Sequence, residues 1–462
     1  MFRKIYSRLP VFAQNWVISA YGYYWHKRRF GGIFKEELFK FKKRENYNRQ
    51  QWRDYQTLEL RKLLVHAFEN VPLYHQRYSA LGFTKSQLER FEIEDLSKLP
   101  FLTKGDLRRY GISSLLSKKR EKGGQFFSSS GSTGTPTKIL YSHAFHQRWS
   151  AAFEARIRHW ASVDRFIPRG MIGGRRVVPT AVSNCPYYRY NIFEKQVYFS
   201  AYHISKSSAS DYVEGIKKHQ VGYMTGYAMS NYFLAKMIDE LGLSVPTLKA
   251  VITSSEKLTP AMRKVLEKVY HCKSYDSYSG VEGCGLISET KHGELLVSPD
   301  VGIMEIIDKY GNEVNPGESG EIVSTGLLNY DQPLIRYRIG DRVRLSKSQI
   351  TKSGHEMPLI DEIEGRVEDK VVGKDGRVMV RFHGLYIDIP HLITAQLIQN
   401  DYDDFTCNLV VENGFKDKYM EIIKQRLESQ LGRSKVTFNV VDEIPKNNNG
   451  KFQAVISKVV NN

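Results

Sequence analysis

A run of small and hydroxyl-bearing residues is the first feature of this sequence that suits chemistry. It reads Ser-Ser-Gly-Ser-Thr-Gly-Thr-Pro over residues 129–136, between two β-prone runs at 125–128 and 138–141. Glycines allow a tight turn, and successive backbone N–H groups with hydroxyls beside them form a concavity suited to phosphate oxygens. A polar surface hairpin is the alternative, and the Gly-Lys-Ser/Thr of a Walker-type loop is absent. The candidate phosphate-binding residues are Ser130, Gly131, Ser132, Thr133, Gly134 and Thr135.

Two strand-like runs farther along the chain, 249–253 and 273–276, are each followed by polar or aromatic side chains. The candidates at these two places are Ser255, Glu256, Asp276, Tyr278 and Glu282. On its own, Glu282 is typical of a surface carboxylate, so its significance depends on these neighbours. A helix is predicted from Pro260, because proline suits the first helical turn.

A further carboxylate, Asp341, ends the run Pro-Leu-Ile-Arg-Tyr-Arg-Ile-Gly-Asp at 333–341. Such a group suits two neighbouring hydroxyls, because it accepts a hydrogen bond from each. Toward the C-terminus, Arg366 and Glu368 lie in a Gly-Arg-x-Glu-Asp run, and Lys451 closes an Asn/Gly-rich segment. Without other motifs, that last segment is typical of a solvated turn.

In order and spacing, these motifs resemble those of the adenylate-forming superfamily of acyl-CoA synthetases, luciferases and nonribosomal adenylation domains. The Pro136-Thr137 pair that follows the glycines is similar to the phenylacetate–CoA ligase-like branch. Within that branch, the aromatic segment 21–24 resembles the capsule-biosynthesis-associated CapK-type proteins.

The resemblance implies a role for each candidate. Tyr278 would stack on adenine, Asp276 would face the adenine edge, and Asp341 would accept hydrogen bonds from the ribose. Glu282 would bind Mg²⁺ on the triphosphate, and Lys451 would meet the charge on the α-phosphate. The further ATP-binding residues would be 130–135, Ser255, Glu256 and Arg366, with Glu368 as the hinge.

Two positions depart from the superfamily pattern around the tyrosine. Ser279 stands in place of a glycine, and Val281 in place of a hydroxyl residue. The missing hydroxyl removes one contact to the α-phosphate and the substrate carboxylate.

The expected architecture is α/β in class. At 462 residues the chain exceeds what one core usually organises. The resemblance implies a large N-terminal α/β domain over 1–365, which binds ATP and the acyl substrate. A small mobile α+β lid is expected over 366–462.

Composition excludes several classes of protein. Apolar residues make up 41% and charged residues 26% of the chain, which is typical of a folded globular protein. The four cysteines are scattered without a C-x-x-C pair, which fits a reducing, cytoplasmic setting. The net charge of +18 suits nucleic acid, an anionic membrane or anionic small molecules. Because no nucleic-acid-binding motif is present, no nucleic-acid partner is expected.

The first 35 residues form a basic, aromatic arm that contains no acidic residue. Aromatic residues beside basic ones suit a peripheral position on an anionic inner-membrane surface. The alternative is a helical arm that packs on its own domain. The uncharged run inside it is too short and too polar to span a bilayer.

The implied activity is ATP-dependent activation of a small-molecule carboxylic acid as an acyl-adenylate, with Mg²⁺ and release of pyrophosphate. The acyl group would then pass to coenzyme A or another acceptor, such as a glycan precursor in surface-polysaccharide synthesis. One alternative transfers AMP itself to a hydroxyl, as deazaflavin-adenylating relatives do. Another is a nucleotide-binding protein at the membrane without turnover.

Overall fold

The computed structural model has the expected α/β class, with helices around a large mixed sheet. It describes residues 5–128, 137–175, 177–179, 184–256, 258–364, 371–379, 383–386, 389–442, 444 and 455–459. Of the predicted site residues, 130–135, Arg366, Glu368 and Lys451 lie outside these ranges.

The N-terminal part of the chain is helical. Its helices are α1 (Val11–Phe30), α2 (Phe34–Arg44), α3 (Arg49–Asn70), α4 (Pro72–Ala80), α5 (Lys85–Glu89), α6 (Lys104–Arg109) and α7 (Gly111–Leu115), with a 3₁₀ turn at Ile93–Lys98. Helix α3 begins at a capping box, in which Asn48 accepts from the backbone of Gln51 and the Gln51 side chain accepts in return. Pro72 starts α4 soon after this helix ends, because a proline at the first helical position loses no helical hydrogen bond.

The predicted β-prone runs on either side of the glycine-rich segment form a hairpin. Strands β1 (Gln125–Ser128) and β2 (Lys138–Tyr141) pair antiparallel, with Ser128 opposite Lys138. Helix α8 (His143–Phe153) follows and continues into a π-helical turn, Glu154–Arg158. The segment 129–136 therefore connects two strands that are in register.

A twelve-stranded sheet organises the described residues up to 364. Its strands are β3 (Arg169–Gly173), β4 (Tyr188–Asn191), β5 (Gln196–Ser200), β6 (Tyr223–Tyr227), β7 (Ala250–Ser254), β8 (Ser274–Ser279), β9 (Leu286–Glu289), β10 (Leu295–Val297), β11 (Gly302–Ile307), β12 (Ser319–Gly326), β13 (Tyr337–Leu345) and β14 (Leu359–Ile363). They are ordered β11-β12-β13-β14-β10-β9-β8-β7-β6-β3-β5-β4. The run β5-β3-β6-β7-β8 is parallel, and the strands on both sides of it are antiparallel.

Helices α9 (Ala209–Lys218), α10 (Ala228–Glu240) and α11 (Pro260–Tyr270) connect the parallel strands. The predicted helix start at Pro260 is confirmed, and Thr259 caps it by accepting from the backbone N–H of Met262. Successive residues of β7 pack into different cores. Ile252 packs in the cluster that contains residues of α2 and α8, whereas Val251 packs with residues of α10 and α11. Both faces of the parallel sheet are thus covered, as such sheets require.

The C-terminal part has its own sheet and core. Its elements are β15 (Val371–Val372), β16 (Val378–Met379), α12 (His383–Tyr386), β17 (Leu392–Asp401), β18 (Asp404–Val411), α13 (Asp417–Leu431), β19 (Lys435–Val440) and β20 (Val455–Ser457). Four of these strands form a sheet in the order β19-β18-β17-β20. Its core cluster contains only residues between Val371 and Val455. A boundary at 365/366 stays a prediction, because residues 365–370 are not described.

Helix α1 packs on the N-terminal part of the chain. Its inner face is therefore that of a packed helical arm, which was one of the two alternatives for this segment. Arg28 donates to the carbonyl of Tyr141 at 2.6 Å and to Nδ1 of His146 at 3.2 Å. Burial and the nearby Arg29 and Arg28 lower the pKa of His146 to about 3, so its ring stays neutral and accepts. None of the helices in the described chain is long and apolar enough to cross a membrane.

Candidate functional site

The candidate residues gather where the parallel strands end. Ser255 and Glu256 directly follow β7, and Tyr278 is next to the last residue of β8. The register of these strands places Thr253 beside Asp276, so the two strands end at the same edge. In open α/β sheets, ligands bind outside the carboxyl ends of the strands. This edge is therefore the candidate active site.

A hydrogen bond joins two candidates that lie far apart in the sequence. The hydroxyl of Tyr278 donates to Oδ2 of Asp341 at 2.9 Å. Burial and the facing carboxylate raise the pKa of Tyr278 far above its usual value, so the hydroxyl keeps its proton. The residues predicted to hold adenine and ribose are therefore in direct contact.

This contact requires the sheet to curl. Three strands lie between β8 and β13 in the sheet order. Four neighbour spacings of about 4.8 Å would separate the two strands by about 19 Å in a flat sheet, beyond the reach of a tyrosine and an aspartate. The antiparallel strands must therefore bend back over the end of β8, which the accumulated twist of long sheets allows.

Glu282 lies in the tight turn between β8 and β9. The backbone N–H of Gly283 donates to the carbonyl of Gly280 at 3.1 Å, and Gly283 has a φ of +59°. A side chain there would meet the ring of Phe145 at 2.6 Å, so only glycine fits. Glu282 is buried, and its Oε2 lies 2.5 Å from where a Cβ on Gly280 would stand. The turn thus folds the carboxylate back over its own backbone.

The turn is tied to the β1–β2 hairpin. The hydroxyl of Tyr141, at the base of the hairpin, donates to the carbonyl of Val281 at 2.7 Å. Gln332 accepts from the backbone of Leu140 at 2.8 Å and donates to the carbonyl of Lys138 at 3.1 Å. The Tyr141 bond thus holds the hairpin that flanks the predicted phosphate-binding segment against the turn of Glu282, and Gln332 ties β2 to the segment before β13. The sequence analysis did not identify Tyr141 and Gln332, because neither belongs to a local motif.

Asp276 lies beside a second carboxylate. Oε2 of Glu289 accepts from the backbone N–H of Asp276 at 2.7 Å and from Arg263 at 2.9 Å. Removal from water raises the pKa of Asp276 to about 7, and the charge of Glu289 adds to this rise. Asp276 is therefore the group of this edge that changes its charge near neutral pH.

This pKa predicts how stability varies with pH. The pKa of Asp276 is higher in the folded chain than in the unfolded chain, so between about pH 4 and pH 7 the folded state binds more protons. The free energy of unfolding should therefore fall as pH rises through this window. Asp276→Asn, which cannot ionise, should lose part of that decline, and denaturant titrations from pH 5 to pH 8 would measure it. Equal slopes for the variant and the unchanged protein would contradict the prediction.

Backbone strain marks the loop after β7. Ser255 has a φ of +70°, in the left-handed region that residues other than glycine rarely adopt, and its side chain is exposed. Such strain persists only where the surrounding structure imposes it, and it concentrates at binding sites. Glu256 follows and is half-buried.

Arg336, in the run that ends at Asp341, has a structural role. Arg336, also at positive φ, is buried and makes a two-pronged ion pair with Glu305 at 2.7–3.1 Å. It also donates to the carbonyls of Ser97 and Leu99 at 3.0 and 2.7 Å. The motif thus uses Arg336 to hold the N-terminal segment against β13 and leaves Asp341 at the site.

A group of aromatic and basic side chains lies at the ends of the neighbouring strands β3 and β5. Arg175 donates to the hydroxyl of Tyr198 at 3.4 Å, and the hydroxyl of Tyr202 donates to the carbonyl of Gly174 at 3.1 Å. Tyr227 ends β6, and its hydroxyl lies 2.5 Å from where a Cβ on Gly174 would stand. These side chains lie at the same edge of the sheet as Tyr278, and they bring several hydroxyl groups and one guanidinium to it.

Comparison with known proteins supports this description. Residues 372–458 match a family model described as the CapK C-terminal domain. The chain is 25% identical over 467 residues to Protein CapK of Staphylococcus aureus, covering 99% of this chain and all of that protein. It is 30% identical over 339 residues to phenylacetate-coenzyme A ligase of Pseudomonas putida, covering 69% of this chain and 72% of that enzyme.

Solved structures show the same fold. A structure of 2-hydroxyisobutyryl-CoA ligase with 2-HIB-AMP and CoA aligns with a TM-score of 0.57 at 17% identity, covering 90% of this chain and 91% of that one. Together with the sequence relatives, this likeness confirms the family implied by the motifs. The chain belongs to the phenylacetate–coenzyme A ligase family of adenylate-forming enzymes.

Proposed function

We propose that this protein activates a carboxylic acid with ATP and then transfers the acyl group. In the first step, a carboxylate oxygen attacks the α-phosphorus, and the bond from that phosphorus to pyrophosphate breaks. In the second step, an acceptor attacks the acyl carbon, and AMP leaves with the electron pair of the broken bond. The acceptor is coenzyme A or another nucleophile.

One observation carries the proposal. The contact between Tyr278 and Asp341 joins the adenine and ribose positions implied by the sequence, at the carboxyl edge where Glu282 also lies. A ribose presents two neighbouring hydroxyls, and a carboxylate such as that of Asp341 is suited to accept a hydrogen bond from each of them. The buried hydrogen bond from Tyr278 holds that carboxylate in one orientation before the nucleotide arrives.

The residues around this contact provide the rest of a nucleotide site. Asp276 lies two residues before Tyr278 on β8, where its carboxyl group suits the edge of the adenine. Ser255 and Glu256 follow the adjacent strand β7 and lie beside this part of β8. The phosphates would lie toward the 130–135 segment, whose flanking strands are tied to the turn of Glu282. Arg366, Glu368 and Lys451 keep their proposed roles as ATP contact, hinge and catalytic lysine.

Mg²⁺ fits this site as an ion that arrives with the nucleotide. No group of three or more acidic, histidine or cysteine side chains suited to a metal occurs among the described residues. Mg²⁺ needs no such group, because it usually binds one or two carboxylates together with substrate phosphates. The buried Glu282 offers one hard oxygen ligand of this kind. The ion would neutralise charge on the departing pyrophosphate.

The acyl substrate and acceptor are proposed from the neighbouring edge and the relatives. The hydroxyls of Tyr198 and Tyr202 and the guanidinium of Arg175 suit an acid that carries polar groups. Beside coenzyme A, an acceptor from surface-polysaccharide synthesis is proposed only on the resemblance of segment 21–24 to the capsule-biosynthesis-associated CapK-type proteins. The similar fold of 2-hydroxyisobutyryl-CoA ligase, solved with 2-HIB-AMP and CoA bound, supports coenzyme A itself.

The proposal predicts pyrophosphate release that depends on an acid. Purified protein with ATP and Mg²⁺ should release pyrophosphate when the correct member of a panel of aryl, fatty and amino acids is added, without any acceptor. Asp341→Ala should weaken ATP binding about tenfold or more, since a hydrogen-bond acceptor for buried hydroxyls is worth about 1–3 kcal/mol. Calorimetric titration with ATP would measure this loss.

Asp361→Ala is the matched control, because Asp361 is an exposed carboxylate on the neighbouring strand β14. It should bind ATP like the unchanged protein. Equal affinity of a folded Asp341→Ala variant would refute the ribose assignment. Pyrophosphate release only with a hydroxyl compound that becomes covalently linked to AMP would establish the AMP-transfer alternative, which the aliphatic Val281 leaves open.

A further inference from the structure

Helix α1 has its polarity reversed relative to a normal surface helix. Among its buried residues, Gln14, Ser19, Gly22 and Arg28 are polar or small, and Trp25 is aromatic. Asn15 accepts from the backbone of Tyr190 at 3.0 Å, and Ser19 donates to the carbonyl of the same residue. Hydrogen bonds with β4 therefore hold the middle of this helix, and Trp25 packs against Phe127 with ring centres 5.7 Å apart.

The opposite face of α1 is aromatic and open to solvent. Phe12, Trp16 and Tyr23 are 68%, 67% and 44% exposed. With Ala20 and Lys27 they follow each other at spacings of four, four, three and four residues, which places them in one stripe along the helix. The ammonium of Lys27 lies 4.7 Å from the ring centre of Tyr23.

The turn between β4 and β5 extends this stripe. Phe193 packs against Tyr23 with ring centres 5.1 Å apart, yet it remains 50% exposed, and its neighbour Ile192 is 54% exposed. We name the surface formed by Phe12, Trp16, Tyr23, Ile192 and Phe193 the aromatic face. It joins two elements that are distant in the sequence, so it is a feature of the folded chain.

The charge around the aromatic face is positive. Arg8, Lys27 and Lys195 are exposed, and α1 contains no acidic residue. The acidic residue of the β4–β5 turn, Glu194, is buried in ion pairs with Arg29 and Arg169. Its charge is therefore neutralised inside the protein.

We propose that the aromatic face lies on the surface of an anionic phospholipid bilayer. Tryptophan and tyrosine favour the boundary between head groups and acyl chains, where an apolar ring meets water. Lysines at the edge reach lipid phosphates while their stems cover apolar surface. The polar docking of α1 holds the helix parallel to the protein surface, so that its outer side chains enter the lipid boundary together.

A second copy of the chain fits this face less well than lipid does. In a symmetric dimer, each face meets its own copy, which would bring Lys27 and Lys195 of both copies close together. Like charges that face each other across an interface oppose association. An anionic bilayer provides the missing negative charge, and this inference does not depend on the proposed reaction.

Vesicle flotation with the full-length protein tests the proposal. Removal of the arm would also delete buried contacts of Arg28 and Gln14, so substitutions on the outer face are the sharper probe. The protein should float with phosphatidylglycerol–phosphatidylcholine vesicles and far less with phosphatidylcholine alone. Phe12→Ser with Trp16→Ser should lower the partition coefficient about tenfold or more, since each ring loses its burial in lipid.

The matched control is Tyr310→Ser with Ile350→Ser, two side chains elsewhere that are 76% and 82% exposed. This control should float like the unchanged protein. Lys27→Glu with Lys195→Glu should also lose flotation, and it serves as the test if the serine variant does not fold. The proposal is overturned if the unchanged protein ignores anionic vesicles or if the serine variant binds them equally. It is also overturned if the only effect of the serine substitutions is to convert a dimer of the protein into a monomer.

Discussion

Lys451→Ala is expected to slow adenylate formation by on the order of a hundredfold or more, the scale of losing one preorganised charge contact. The lysine lies outside the described residues, and its role rests on the motif that it closes and on the family to which the chain belongs. Its ammonium would stabilise negative charge as pyrophosphate departs. In the acyl-transfer step it would be turned away, because the lid is expected to rotate between the two half-reactions.

Separate measurement of the half-reactions tests this role. Pyrophosphate release should fall in Lys451→Ala, while transfer from a supplied acyl-adenylate should proceed at nearly the unchanged rate. Lys458→Ala is the control, since Lys458 is an exposed lysine a few residues beyond, whose ammonium donates to the side chain of Asn400 at 3.0 Å. If both rates fell together, the role of Lys451 would be structural. If neither rate fell, the segment that it closes would be the solvated turn of the alternative interpretation.

Asp300→Ala should have the largest effect on stability. Asp300 is fully buried before β11 and accepts from Arg44 at 2.9 Å and from Arg156 at 3.1 Å. Arg156 also donates to Glu45 at 2.6 Å and to the carbonyl of Phe41 at 3.0 Å. This network ties α2 and the π-helical turn to the antiparallel part of the sheet.

Loss of the carboxylate would leave two buried guanidinium groups without their shared partner. A change of this kind costs about 3–5 kcal/mol, because the desolvation of the remaining charges is no longer offset. The midpoint of denaturant unfolding should therefore drop clearly. Asp54→Ala, at an exposed position of α3, should change stability by about 0.5 kcal/mol or less. Similar midpoints for both variants would show that the network contributes little.

Local features of the fold were predictable from the sequence. The pairing of the runs around 129–136 and the helix start at Pro260 follow from short-range signals. Each depends on residues a few positions apart, so backbone geometry and capping are sufficient to specify it.

The arm shows why other features were not predictable. From the sequence, a membrane-facing helix and a packed helix were alternatives. In the structure, Asn15 and Ser19 of α1 bond to β4, whereas Phe12, Trp16 and Tyr23 face solvent, so packing and exposure belong to opposite faces of one helix. The usual expectation that apolar residues face inward gives the wrong orientation here. The polar groups of a distant strand decide it.

The sequence by itself determined which chemical groups this protein has for binding a nucleotide: the carboxylates, the tyrosine and the glycine-rich segment. Their types and order follow directly from the chain. Only the tertiary structure decided that Tyr278 donates to Asp341, that Tyr141 holds the turn of Glu282, and that Arg336 is structural. The physical reason is the curl of the sheet, which brings together strands separated by three others. Such a curl arises from the twist summed over many strands and from packing on both faces, and no local sequence signal encodes it.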